Sequence, residues 1–201
     1  MFDSLVRDAK ERVQQPLANK LAYVHPTMVT ILAFIVGLVG AAAVIEHYYA
    51  LGLVLWLLNR ILDGFDGTLA RVQQRQSDLG GYIDILLDFA IYAIMPIALV
   101  IGNPSPNNYL ALAFLLSTFY VNAASWMYLS GILEKRSQNK PSNQYTTVNM
   151  PNGLIAGTET VVFYCIFIVF SDQLVFLFST MGIFIMVTVI QRLVWATQNL
   201  D

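Results

Sequence analysis

The sequence predicts an all-α integral membrane protein: one domain over residues 1–201, with six transmembrane helices (26–198) preceded by an N-terminal amphipathic interfacial helix (1–25), and both termini cytoplasmic. Three observations carry this expectation. The 201 residues are 57% hydrophobic and 12% charged, and their mean hydropathy is +0.60, a balance suited to lipid and not to a soluble core. Uncharged stretches of membrane length recur between short polar turns. The basic residues fall on alternate connections, as the positive-inside rule requires.

Residues Met1 to His25 are not a signal peptide, because Asp3, Asp8 and Glu11 interrupt the basic residues and no apolar run precedes Pro16. Phe2, Leu5, Val6, Ala9 and Val13 instead form an apolar stripe at helical spacing with Arg7, Lys10 and Arg12 beside it, the pattern of a helix lying on anionic lipid. Pro16 is expected to end or bend it. Met28 to Ile45 is uncharged over 18 residues, enough to cross roughly 30 Å of hydrocarbon at about 1.5 Å per residue. Further spans are expected at Ala50–Ala70, Leu79–Ile101, Tyr109–Leu133, Gly153–Phe170 and Leu174–Ile190. The loop signal GNPSPNN, Gly102 to Asn108, separates the third from the fourth, and the polar stretch Glu134 to Asn152 separates the fourth from the fifth. With the N-terminus inside, Arg7, Lys10, Arg12, Lys20, Arg71, Arg75, Lys135, Arg136, Lys140 and Arg192 all fall on or near the cytoplasmic side. Net charge is −2 with no basic patch, which excludes a nucleic-acid partner. The single Cys165 forms no intrachain disulfide.

Within this apolar frame, Leu62 to Asp88 holds five carboxylates and two arginines. Ionisable groups at membrane depth are costly unless paired, hydrated or metal-bound, so the cluster reads as a functional site. Asp63, Asp66 and Ala70 share a helix face, Asp84 and Asp88 share another, and Gly80 lies one turn before Asp84. Four carboxylates converging at low dielectric need a cation between them, and hard oxygen donors favour two Mg²⁺ or Mn²⁺ ions.

The spacing Asp63-x2-Asp66-Gly67-x2-Ala70-Arg71-x8-Gly80-x3-Asp84-x3-Asp88 resembles the CDP-alcohol phosphatidyltransferase signature at every defined position. That resemblance implies transfer of a phosphatidyl group from CDP-diacylglycerol to an alcohol with release of CMP, and the distribution of basic residues places the Asp63–Asp88 end on the cytoplasmic side of the inner membrane. It makes Asp63 and Asp84 ligands of both metals, Asp66 a ligand of the first, and Asp88 a ligand of the second and the catalytic base. It also implies that Gly67, Ala70 and Gly80 leave room for the CDP donor, that Arg71 and Ser77 contact phosphate, and that Pro26 and Thr27 form the donor-binding turn. Thr27 stands where the family often has Asn or Asp. A homodimer is implied as well.

Some expectations stay open at this level. Arg60 and Glu159 could pair across helices, structurally or at the substrate. His25 and His47 read as interfacial, and the aromatic residues of the later spans as packed or lipid-facing surface. A cation transporter is the competing class, but carboxylates gathered on two adjacent helices at one end describe a terminal site and not a path. For the acceptor, serine leads: Pro96 lies eight residues after Asp88, an offset shared with serine-using members, and a helix kink there could shape the acceptor pocket. Glycerol 3-phosphate or inositol phosphate as acceptor, and a soluble CDP-alcohol as donor, remain alternatives.

Overall fold

A computed structural model describes residues 14–21, 23–138 and 153–200. The described residues are helical apart from short turns and contain no strand. The chain runs through α1 (14–20), α2 (Pro26–Ile45), α3 (Tyr49–Val72), α4 (Asp78–Gly102), α5 (Pro106–Gln138), α6 (Gly157–Val169), a 3₁₀ turn (Ser171–Gln173) and α7 (Leu174–Asn199). Four stretches are long and apolar enough to cross a membrane: α2, α4, residues 106–136 of α5, and the 3₁₀ turn joined to α7. Of the other two long elements, α3 carries Arg60, Asp63 and Asp66, and α6 has only 13 residues.

Helix boundaries follow local chemistry. Pro26 opens α2 where its missing N–H costs nothing. Ser77 caps α4, its Oγ accepting the Gly80 N–H at 3.1 Å. Asn103 ends α4 before Pro104, and α5 begins at Pro106 with the Ser105 Oγ accepting the Asn108 N–H at 3.1 Å. The fifth expected span is shortened, because residues 153–156 stay outside the helix: Leu154 N donates to Gln191 Oε1 at 3.1 Å and Ile155 N to Thr188 Oγ1 at 2.9 Å, tying them to α7. Residues 14–20 are helical through Pro16, and the upstream helix that Pro16 is expected to end or bend lies outside the described residues. The apolar stripe from Phe2 to Val13 lies outside the described residues, as do Lys140 and most of the Glu134–Asn152 stretch.

In lipid, helices gain little from hiding apolar surface from one another, so close packing decides who neighbours whom. The sequence places Ala33, Gly37, Gly40, Ala41 and Ala43 along α2, and both α3 and α4 pack extensively against it. A methyl added at Gly37 would come within 2.7 Å of the Ile91 side chain of α4, and one at Gly52 of α3 within 2.5 Å of Val44. Helices α5 and α7 make the other extensive pair, and α6 bridges to α3, α4 and α7. The main core lies where these groups meet, with Trp56, Ile91, Met95, Tyr164, Phe167, Phe178 and Met181 fully buried. The aromatic residues therefore divide: this group is core, whereas Tyr120 and Tyr128 point outward.

At one end, a smaller cluster of Ala18, Val29, Phe65 and Leu69 docks α1 onto α2 and α3. Gln73 Nε2 reinforces it by donating to Val24 O at 2.7 Å. At the other end, the Tyr49 hydroxyl lies 2.8 Å from His47 Nδ1 and accepts from Asn103 Nδ2 at 3.0 Å, which latches the α2–α3 turn to the end of α4. His47 thus has a structural role.

Candidate active site

Because α3 and α4 both pack on α2, the end of the bundle near Asp66 leaves a cleft between them. The C-terminus of α3 turns there through Gln74, whose φ is 53°, with Arg75 N donating to Ala70 O at 2.9 Å. The turn delivers Arg75, Gln76 and Ser77 to a cavity of about 190 Å³ whose other walls include His25, Pro26, Thr27, Thr30, Asp66, Gly67, Ala70, Arg71, Gly80, Gly81 and Asp84. All seven residues that the family resemblance assigns to the CDP donor line this one cavity. Two helix N-termini face it, Pro26–Thr27 of α2 and Ser77–Gly81 of α4, and two arginines flank it. Partial positive charge from the helix ends and the guanidinium groups suits an anionic diphosphate. The Ser77 oxygen is already occupied with capping α4.

The aspartates are distributed unevenly. Asp66 is buried and accepts a hydrogen bond from Thr30 Oγ1 at 2.6 Å. Asp84 lines the same cavity. Asp88, one turn further along α4, opens into a second cavity of about 750 Å³, which is mostly apolar. Phe89 and Tyr92 of α4, Asn122 and Trp126 of α5, Ile155 and Thr160 by α6, and Arg192 of α7 are among its walls. Arg192 is 7% exposed, its Nη1 donates to Asn122 Oδ1 at 2.7 Å, and its buried Nε has no hydrogen-bond partner among the described residues. Asp63 lines neither cavity and lies 3.8 Å from Arg60 Nη1.

Arg60 does not pair with Glu159. Its Nη1 donates to Asp88, while the Glu159 carboxylate accepts the Ala156 N–H at 3.2 Å and so caps α6. Sequence spacing did not point to Thr30, Asn122 or Arg192 as site residues. Thr30 could have been found, since it lies one helical turn after Pro26 on the same face of α2. Asn122 and Arg192, 70 positions apart, had no shared local signal. Pro96 is buried within α4 and does not itself line either cavity, but the carbonyl four residues before it, Tyr92 O, accepts the Tyr164 hydroxyl, and Tyr92 lines the larger cavity.

For a divalent cation, the donor chemistry fits: carboxylate oxygens from two neighbouring helices are the ligands hard cations take. In this arrangement no three acidic, histidine or cysteine side chains among the described residues are gathered closely enough to hold one. Asp88 rests on Arg60 and Asp66 on Thr30.

An all-helical chain with membrane-length apolar helices and a cationic, glycine-lined cleft beside the buried Asp66 has the make-up of a membrane enzyme for phosphorylated substrates. More specifically, residues 23–195 match the family model for CDP-alcohol phosphatidyltransferases, so the chain belongs to that family and is an enzyme of that class, a transferase of phospholipid biosynthesis. It is 33% identical to the inner membrane protein YnjF of Escherichia coli over 147 residues, 72% of this chain and 70% of that protein. Over 84 residues, 42% of this chain, it is 40% identical to the bifunctional IPC transferase and DIPP synthase of Thermococcus kodakarensis, covering 18% of that protein. Over 71 residues, 35% of this chain, it is 36% identical to the CDP-diacylglycerol–serine O-phosphatidyltransferase of Mycobacterium tuberculosis, covering 25% of it. The chain thus spans a quarter or less of the length of the last two.

Proposed function

We propose that the protein transfers the phosphatidyl group of CDP-diacylglycerol to the hydroxyl of a small acceptor that carries an anionic group, serine first, and releases CMP. The observation that carries this reading is the pair of cavities on α4, with Asp84 in the smaller, cationic one and Asp88 one turn away in the larger, apolar one that holds Arg192. The smaller suits a nucleoside diphosphate and the larger an acceptor meeting a lipid-linked phosphate. In the same reading α2 to α7 are six spans of a single domain, the termini and the Asp63–Asp88 end face the cytoplasm, and the enzyme works as a homodimer.

Two Mg²⁺ or Mn²⁺ ions held by Asp63, Asp66, Asp84 and Asp88 would neutralise the diphosphate and polarise the phosphorus under attack. The chain's own groups do the rest. Arg71, Arg75 and the two helix N-termini bind the diphosphate, while Gly67, Ala70 and Gly80 keep the cleft open to the nucleotide. Asp88 accepts the proton of the acceptor hydroxyl as its oxygen bonds to the phosphorus of the phosphatidyl group. The phosphoanhydride bond then breaks and CMP leaves with the bonding pair. Apolar walls exclude water, which would otherwise hydrolyse the donor.

Arg192 also favours a second reading. A phosphorylated acceptor such as inositol phosphate needs cations, and beyond Arg71 and Arg75 the candidates in the sequence are Lys135, Arg136 and Lys140 of the stretch between the fourth and fifth expected spans. Arg136 is committed to the carbonyls of Asn199 and Leu200, but Arg192 supplies a buried cation inside the larger cavity. The test is competition: purified protein is given CDP-diacylglycerol with equimolar serine, glycerol 3-phosphate, inositol and inositol phosphate, and the product lipid is identified. Phosphatidylserine is expected, and a phosphomonoester-bearing lipid would replace serine by the second reading. Formation of CMP should stop in EDTA and return with Mg²⁺ or Mn²⁺, and full activity after exhaustive chelation would exclude metal dependence. Arg192→Met should raise the acceptor KM by about ten- to a hundredfold, the worth of one charge-assisted hydrogen bond, with a smaller effect on kcat. An unchanged KM would remove Arg192 from acceptor binding.

A further inference from the structure

We infer that Arg60 is an internal counter-ion for Asp88 that competes with the divalent cation, so that metal loading at Asp88 is coupled to release of this guanidinium. The inference rests on the metal dependence proposed above. From α3, Arg60 reaches α4, where its Nη1 donates to Asp88, and the same nitrogen lies 3.8 Å from Asp63. Two proposed metal ligands, one on each helix, are therefore drawn toward one organic cation.

The cradle holding Arg60 is built around it. Its Nε donates to Asn59 Oδ1 at 2.7 Å, and Asn59 Nδ2 in turn donates to Ala33 O of α2 at 2.7 Å. The guanidinium carbon sits 4.8 Å from the centre of the Trp56 ring and 4.7 Å from that of Tyr92, in cation–π range of both. The side chain is 9% exposed, yet its buried Nη2 has no hydrogen-bond partner among the described residues. A closed structural ion pair would use that donor. Leaving it unmade raises the energy of the present pose and lowers the cost of moving to another.

Competition follows from charge. A divalent ion bound by Asp88 would face the guanidinium on the same carboxylate, and two cations at such range in a low-dielectric site repel. Before metal arrives, however, carboxylates on neighbouring helices repel one another, and Arg60 offsets that repulsion. Arg60 is thus a positioning residue with opposite effects on the two states: it stabilises the metal-free fold and weakens metal binding. If the paired form makes up about nine tenths of the metal-free protein, the apparent affinity for metal falls about tenfold.

The experiment follows the melting temperature of purified, EDTA-stripped protein in detergent as Mn²⁺ is added, for wild type, Arg60→Met and Arg60→Lys. Arg60→Met should melt lower without metal and reach half of its Mn²⁺-induced stabilisation at about a tenfold lower concentration than wild type. Arg60→Lys, with a point charge and no planar fork, should fall between. Loss of a merely structural residue would lower the melting temperature without tightening the Mn²⁺ midpoint. Equal or weaker midpoints in the variants overturn the inference and leave the metal reading standing, and should Arg60→Met not fold, the midpoint of Arg60→Lys decides alone. Absence of any Mn²⁺ response in wild type and in the variants defeats the metal reading itself.

Discussion

Asp66→Asn should lower phosphatidyl transfer by on the order of a thousandfold, about 4 kcal/mol of transition-state stabilisation, while the protein still inserts and elutes as wild type. The side chain is buried and already accepts the Thr30 hydroxyl at 2.6 Å. Asparagine has nearly the same volume and its amide oxygen can keep that hydrogen bond, so packing survives. The negative charge does not survive, and with it goes one proposed ligand. CMP release at saturating CDP-diacylglycerol, measured beside a size-exclusion profile, checks this, and wild-type turnover would take Asp66 out of the chemistry. Asp63→Asn and Asp84→Asn should behave alike. Asp88→Asn should differ, because it also takes the charge from the closest partner of Arg60 and leaves Asp63, at 3.8 Å, as the remaining carboxylate beside it. Only this variant of the four should both lose activity and melt clearly earlier.

The second large effect is on stability. Trp56 is fully buried, stacks on Tyr164 at 4.9 Å, meets Tyr92 edge-on at 5.8 Å and forms one wall of the Arg60 cradle. Trp56→Ala opens a cavity among α3, α4 and α6 that rigid helices cannot close, and should cost about 3–5 kcal/mol. Trp56→Phe keeps an aromatic surface beneath the guanidinium and should cost less than half as much. Thermal melting in detergent distinguishes the two. If Trp56→Ala melts with wild type, the aromatic stack is not a principal support of the bundle.

What the sequence determined by itself were the features that local periodicity controls. Eight residues within 26 positions sit on two consecutive helices, and a helical repeat assigns each to a face whatever lies opposite. Their role toward a CDP donor came only from the family resemblance, which named Pro26, Thr27, Gly67, Ala70, Arg71, Ser77 and Gly80, and these seven are found around one cavity. Tertiary structure alone decided how those faces are partnered. Arg60 turned to Asp88 and not to Glu159, Thr30 came to Asp66 across 36 positions, and Arg192 reached the cavity of Asp88 from the last helix. Spacing carries no information about such pairs, because they depend on how closely helices approach and at what rotation. Here that is settled by the small residues of α2, which draw α3 and α4 onto one helix and leave the cleft between them.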